Sequence, residues 1–253
     1  MIIRDALVKL ITLNMWCGKL FGKLEPFIEK NGPYTDVFCF QEVLDNKPGI
    51  KSAVFKDGTE DSFDRIRNIL GNDFEGYSAL PHPNERGLAM FVNKRWKIVE
   101  RREEYVYGKK NAMVDNKWST LGINVLYSRI RRGKEEYSIW TTHGIFVNME
   151  KNDTKETIEQ SNNLKSLIEK VGGKKILCGD LNLHPDTESI RILERIPMRN
   201  LVRDYRIKST RTSYYEFPQQ YADYIFTSYD INVKNFEAMP DIVSDHLPLS
   251  LEC

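Results

Sequence analysis

Four cysteines, Cys17, Cys39, Cys178 and Cys253, are spread over 253 residues, too few and too far apart for a disulfide framework. Cys39 and Cys178 fall inside apolar runs where a thiol simply packs, which points to a reducing compartment. No apolar run is long enough to span a bilayer, and the opening MIIRDAL interrupts with charge the stretch that a secretory signal would need. The expectation is a soluble, cytoplasmic protein with no membrane association and no obligate protein partner. Net charge is lacking too: 37 Lys and Arg face 36 Asp and Glu, for a formal +1. No global field calls for a polyanion, so any attraction to phosphate has to be local. Without a Pro-, Gly- or Ser-rich linker or a low-complexity tract, residues 1–253 read as one domain with an ample core.

What the chain has is a series of short apolar runs with polar residues at their ends. Residues 6–14 and 36–42 read as buried strands that deliver Asn14 and Gln41-Glu42 to their carboxyl ends. Residues 20–30 and 63–70 show helical spacing. Strands are expected over residues 74–80, 87–93, 96–106, 119–129 and 135–142, the last ending at His143. The basic run over residues 129–134 reads as a hairpin turn, with Gly133 supplying the positive φ that such turns need. Residues 152–170 read as a helix with Asp153 or Thr154 as its N-cap, and Asp186 or Thr187 can begin another. The last two strands are placed near residues 222–228 and 247–251.

The densest chemistry lies at residues 176–185, ILCGDLNLHP. A buried strand ends at Asp180, with Gly179 allowing a backbone turn. Asp180 and Asn182 are two apart, so an extended backbone sends both side chains to one face. A carboxylate beside a neutral amide suits a phosphate: the acid can hold a metal or activate water, and the amide can orient a ligand without adding charge. Taken singly, Gly, Asp and Asn are also ordinary turn residues, Glu42 an ordinary solvated strand end and His143 an ordinary structural histidine. Asp245-His246 can divide labour between metal and phosphate, with Asp223 placed to fix the imidazole tautomer. Residues 199–217 bring Arg203, Arg206 and Arg211 together with Tyr214 and Tyr215, a combination that suits phosphates and stacked bases, or equally a solvated surface.

Asn14, Gln41-Glu42, His143, Gly179-Asp180-Leu181-Asn182, Asp223 and Ser244-Asp245-His246 occur in an order that resembles the endonuclease/exonuclease/phosphatase superfamily, with its deoxyribonuclease I-like fold. The resemblance runs from the first strand to the last. It implies an α/β (α+β) fold, a four-layer αββα sandwich of two mainly antiparallel sheets, with divalent-metal-dependent phosphoester hydrolysis at one end. It further implies that Glu42 is the principal Mg²⁺ or Mn²⁺ ligand, supported by Asn14 and Asp245. Asp180 would position or deprotonate the attacking water and Asn182 would orient the phosphate. His246, held by Asp223, would stabilise the transition state or act as base, and His143 would contact the scissile phosphate. The segment Asn84-Glu85-Arg86-Gly87-Leu88 resembles one of deoxyribonuclease I, where the glutamate orients the catalytic histidine; Glu85 would so serve His143, or else pair with Arg86 or Lys94 at the surface. A phosphodiesterase acting on DNA or RNA is the implied activity, with a lipid or small-molecule phosphoesterase as the alternative.

Overall fold

The computed structural model describes residues 7–45, 57–81, 86–110, 122–147 and 149–253. Glu85, and the first three residues of the strand expected over 119–129, lie outside the described residues. In chain order the elements are β1 (Lys9–Asn14), α1 (Phe21–Asn31), β2 (Val37–Val43), α2 (Ser62–Leu70), β3 (Phe74–Ala79), β4 (Gly87–Asn93), β5 (Lys97–Tyr107), β6 (Ile123–Arg132) and β7 (Glu135–His143). They continue through α3 (Lys155–Glu169), β8 (Lys174–Asp180), α4 (Glu188–Glu194), β9 (Met198–Asn200), α5 (Leu201–Asp204), β10 (Asp223–Ser228), β11 (Asn235–Ala238) and β12 (Leu249–Glu252). None of the described helices is long and apolar enough to cross a membrane.

The strands form two mixed six-stranded sheets, ordered β11-β12-β1-β2-β4-β3 and β5-β6-β7-β8-β10-β9. β1 pairs parallel with β2 and β7 parallel with β8; the other pairings are antiparallel. Side chains alternate across a strand, and on the first sheet both faces are apolar. Ile11, Leu13, Phe38 and Phe40 pack with α1 and α2 in one core, whereas Leu10, Val37 and Cys39 join the core shared with the second sheet and α3, α4 and α5. Burial on both faces explains the unbroken apolar runs of β1, β2 and β8. The result is the αββα sandwich.

Two local differences from the sequence expectations have simple causes. The basic run is mostly strand: β6 extends to Arg132, which pairs with Glu135, leaving Gly133 and Lys134 as a two-residue turn with Gly133 at φ 60°. Its charges are taken up along the ladder, Arg129 and Arg131 both pairing with Glu136. The helix expected from residue 152 begins at Lys155 because Thr154 caps it through a reciprocal hydroxyl pair with Thr157. Asp153 turns away and accepts from the backbone N–H groups of Glu188 and Ser189 at the start of α4.

The register sets the chemistry. His143 closes β7, Asp180 closes β8 and Asp223 opens β10, and these three stand side by side across the second sheet. On the first sheet Asn14 closes β1 beside Gln41 of β2. Gln41 bridges the sheets, its amide donating to Thr12 Oγ1 at 3.0 Å and Thr141 Oγ1 at 2.9 Å. Both sheets therefore end at the same place.

Candidate active site

Glu42 reaches that end through a β-bulge. Gln41 pairs with Leu88 and Val43 with Gly87, which leaves Glu42 as the extra residue, at φ 59°. Plain alternation would give it the α1/α2 face of Phe38 and Phe40; the bulge re-aims it. Its Oε1 accepts from Asn14 Nδ2 at 3.2 Å and pairs with Arg86 at 2.9 Å, and its Oε2 accepts from the Cys17 thiol at 3.2 Å. The Asn14 amide also donates to Asp180 Oδ2 at 3.0 Å, so one amide ties together two carboxylates from different sheets.

Asn182 does not continue an extended backbone as expected: it sits at φ 53°, where asparagine is tolerated better than most residues. Its N–H donates to Asp180 Oδ1 at 2.8 Å and its side-chain amide to Gly144 O at 3.1 Å. A turn, in place of a shared strand face, thus brings Asn182 beside Asp180. Two imidazoles face Asp180 Oδ2, His143 Nε2 at 3.7 Å and His246 Nε2 at 3.6 Å. His246 Nδ1 lies 2.8 Å from Asp223 Oδ2, and Arg211 contacts both His246 Nε2 and, at 2.9 Å, Asp245. A guanidinium only donates. In this arrangement Nε2 therefore accepts, and the ring keeps its proton on Nδ1 for Asp223.

Burial opposes charge throughout the cluster, and neighbours decide the outcome. Burial would push Glu42 up, but Arg86, His143 and His246 hold it at about 2. Asp180 is likewise held well below the usual carboxylate range, its burial outweighed by His246 and His143. Burial lowers His143, whereas Asp223 overcomes burial to raise His246. Burial raises Asp245 despite His246 and Arg211.

These groups line a cleft of about 290 Å³ bounded by Trp16, Glu42, Arg86, His143, Phe146, Met149, Asp180, Asn182, Arg211, Tyr215, Phe217, Asp245 and His246. Of the basic and aromatic residues in the 199–217 segment, Arg211, Tyr215 and Phe217 belong here, the Arg211 guanidinium stacked 4.0 Å from the Tyr215 ring centroid, and Tyr214 stands just outside. Arg203 and Arg206 line a separate cleft of about 260 Å³ with Pro185, Lys208 and Tyr221, where Arg203 is bound by Glu194 and the Pro185 carbonyl. Arg86, read from the sequence as a possible surface partner of Glu85, pairs with Glu42 in the cleft. The segment that contains it stands out in the sequence for Glu85, and its partnership with Glu42 stays hidden there because the bulge that brings Glu42 beside it has no signature of its own.

Asp180, Asp223 and His246 bring three ligand-type atoms within 4.8 Å of one another. With Nδ1 bonded to Asp223 and Nε2 accepting from Arg211, the imidazole has both nitrogens engaged, and Asp180 Oδ2 stands 3.6 Å from Nε2, beyond hydrogen-bond distance. The oxygens of Glu42 and Asp180, drawn together by Asn14, are the hard donors that suit a divalent cation such as Mg²⁺ or Mn²⁺.

Lys151 escaped the sequence reading. Its side chain is buried, its ammonium donates to the Tyr221 carbonyl at 3.1 Å, and the Tyr215 ring centroid lies 5.4 Å away. Burial lowers its pKa from 10.5 to about 8, against the pull of Asp180. Between those values the unfolded chain binds more protons than the folded one, so this group makes stability rise with pH; below about 8 the burial penalty is fully present. Lys151→Met should remove that rise, changing the slope by up to about 1.4 kcal/mol per pH unit in urea unfolding above pH 8. Equal slopes for variant and wild type would mean that Lys151 titrates normally.

Two mixed sheets flanked by helices, with acids and imidazoles gathered at one end, define the deoxyribonuclease I-like α/β class. The chain matches the Endonuclease/Exonuclease/phosphatase family over residues 11–246 and belongs to it. Members of that family are hydrolases acting on phosphoester bonds, generally dependent on a divalent metal. Similar solved structures include an endonuclease/exonuclease/phosphatase family protein from Bacteroides thetaiotaomicron, 15% identical, with a TM-score of 0.77 and 98% of each chain covered. A mannosyl-6-phosphatase from the same organism is 15% identical, with a TM-score of 0.72 and coverage of 96% of this chain and 98% of its own. D. rerio TDP2 complexed with a single-strand DNA product is 14% identical, with a TM-score of 0.70 and coverage of 98% and 99%. These likenesses are of fold. No curated protein sequence matches the chain.

Proposed function

We propose that this protein is a divalent-metal-dependent phosphodiesterase acting on nucleic acid. The observation that carries the reading is the meeting of Glu42, Asp180 and His246 in one cleft that guanidinium and aromatic groups also line, among them Arg86, Arg211, Trp16, Tyr215 and Phe217. Glu42 would hold the cation beside the Asp180 carboxylate, with Asn14 supporting it through Oδ1 and Asp245 joining once Arg211 releases it. When bound, a hard cation supplies the charge that offsets negative charge developing on the phosphoryl oxygens.

Asp180, ionised and faced by two imidazoles, orients the attacking water and draws off its proton. Asn182 keeps one amide N–H beyond its bond to Gly144 O and directs it at a phosphoryl oxygen. His246 stabilises the transition state from the opposite side once Arg211 gives way and Nε2 can carry a proton, a state that Asp223 favours. His143, neutral near pH 7 because burial lowers its pKa, contacts the scissile phosphate. Glu85, to which the resemblance gives a role beside His143, lies outside the described residues, and Arg86 pairs with Glu42.

A second reading, a lipid or small-molecule phosphoesterase, draws support from Phe146, Val147 and Met149, which are exposed on the segment after β7 beside the cleft. One assay separates the two. Labelled single-stranded DNA, duplex DNA, RNA, sphingomyelin vesicles, inositol phosphates and a sugar 6-phosphate are incubated with Mg²⁺, Mn²⁺ or excess chelator. Chelator-sensitive cleavage of a nucleic acid is the expected result. Turnover confined to the lipid or small phosphoesters would replace the proposal with the second reading.

A further inference from the structure

Outside the reacting groups, one wall of the cleft continues onto the surface as a run of alternating aromatic and cationic side chains. Trp16 and Cys17 both adopt left-handed backbone, at φ 50° and 54°, which non-glycine residues hold only where their surroundings fix it. Here the fixing groups belong to the site: the Trp16 N–H donates to Asn14 Oδ1 at 3.0 Å, and the Cys17 thiol donates to Glu42. The indole is thereby set into the cleft wall at a defined place relative to Glu42 and Asp180.

The ring of Tyr214 follows, its centroid 6.2 Å from that of Trp16 and its plane tilted by 49°. Each ring carries an ammonium: Lys19 Nζ is 4.4 Å from the Trp16 centroid, and Lys23 Nζ is 5.2 Å from the Tyr214 centroid and donates to its hydroxyl at 3.0 Å. Both lysines are exposed, and among the described residues neither has a carboxylate in ion-pair contact. Many surface arginines are neutralised, as Arg101 is by Glu75 and Arg195 by Glu188. The wall next to the cleft keeps its charge. Trp16 lines the cleft with the reacting groups, and Lys19 does not.

Planar rings suit a base, and two unneutralised ammoniums beside them suit a phosphate. An acyl chain would gain from the rings but nothing from the charges. We infer that Trp16, Tyr214, Lys19 and Lys23 form a subsite for the nucleotide flanking the scissile phosphodiester in a single-stranded nucleic acid. The inference rests on the nucleic-acid reading above and adds where the strand leaves the reacting centre. It also makes the preferred substrate a strand at least one nucleotide longer than the bond requires, because an unpaired base is needed to reach the rings.

The test is a length series of single-stranded oligonucleotides, from dinucleotide to dodecamer, with Mn²⁺ present, on wild type, Tyr214→Ala and the double variant Lys19→Ala/Lys23→Ala. Circular dichroism and urea midpoints confirm that each variant is folded. In wild type kcat/KM should rise with length. Tyr214→Ala should cut the long-to-short ratio at least about fivefold through KM, as loss of one stacked base does. The double lysine variant should flatten the dependence of log kcat/KM on log salt by about 0.7 per ammonium, or about 1.4 in all. A wild-type-like length ratio and salt slope in the variants, with the dinucleotide cleaved, overturns the subsite alone. Failure of wild type to cleave any oligonucleotide while hydrolysing bis(4-nitrophenyl) phosphate overturns both the subsite and the nucleic-acid reading.

Discussion

Asp180→Asn should lower turnover by about 10²- to 10⁴-fold while leaving the fold in place. The replacement keeps shape and removes charge, and the partners show why that matters. Asp180 Oδ1 accepts from the Asn182 N–H, a bond that an amide oxygen can preserve. Asp180 Oδ2 accepts from Asn14 Nδ2 and faces the Nε2 atoms of His143 and His246. An amide nitrogen there would confront the Asn14 amide, donor against donor, and could take no proton from water. Burial makes the loss larger than at a surface, because there the ionised form is held against desolvation by His246, His143, Lys151 and Arg211. The measurement pairs steady-state turnover on the best substrate with urea unfolding. Turnover within tenfold of wild type, in a folded variant, would remove Asp180 from the chemistry and shift the role of base to His246.

Much of this site was legible because it lies at strand ends. The apolar runs before Asn14, His143 and Asp180 announce strands, and parallel or antiparallel pairing then brings their last residues into a row. Asp223 joins that row because β10 runs the other way and starts where β8 stops. What was not legible depends on contacts remote in sequence. The bulge at Glu42 is a backbone event without a residue signature, and it decides that Arg86 meets Glu42 in the cleft. Lys151 looks like any surface lysine until Tyr221, 70 residues away, supplies its acceptor. The 199–217 segment read as one basic and aromatic surface, yet β9 and α5 are too short to show periodicity, and they carry Arg203 into a different cleft from Arg211. β11 escaped for the same reason, with four residues and one buried side chain.

Gly179→Ala should be severely destabilising, and Gly133→Ala is its natural control. Both glycines have positive φ, 127° and 60°, so both substitutions carry a conformational cost. At Gly133 a Cβ meets nothing within 4 Å, and the expected loss is about 1–2 kcal/mol, the cost of left-handed backbone alone. At Gly179 a Cβ would lie 2.2 Å from the Thr142 carbonyl oxygen and 3.1 Å from its nitrogen. Backbone cannot turn aside as a rotamer can, so β7 and β8 would have to part. They are held in the register that sets Thr142 against Gly179 and His143 against Asp180. The expected loss exceeds about 4 kcal/mol, the range reserved for changes that a fold cannot absorb. Urea unfolding of both variants measures the difference, and failure of Gly179→Ala to accumulate as folded protein while Gly133→Ala does so is the same result in its extreme form. Equal losses in the two would show that β7 and β8 tolerate a wider spacing, and the alignment of His143 with Asp180 would then be looser than the close strand contact requires.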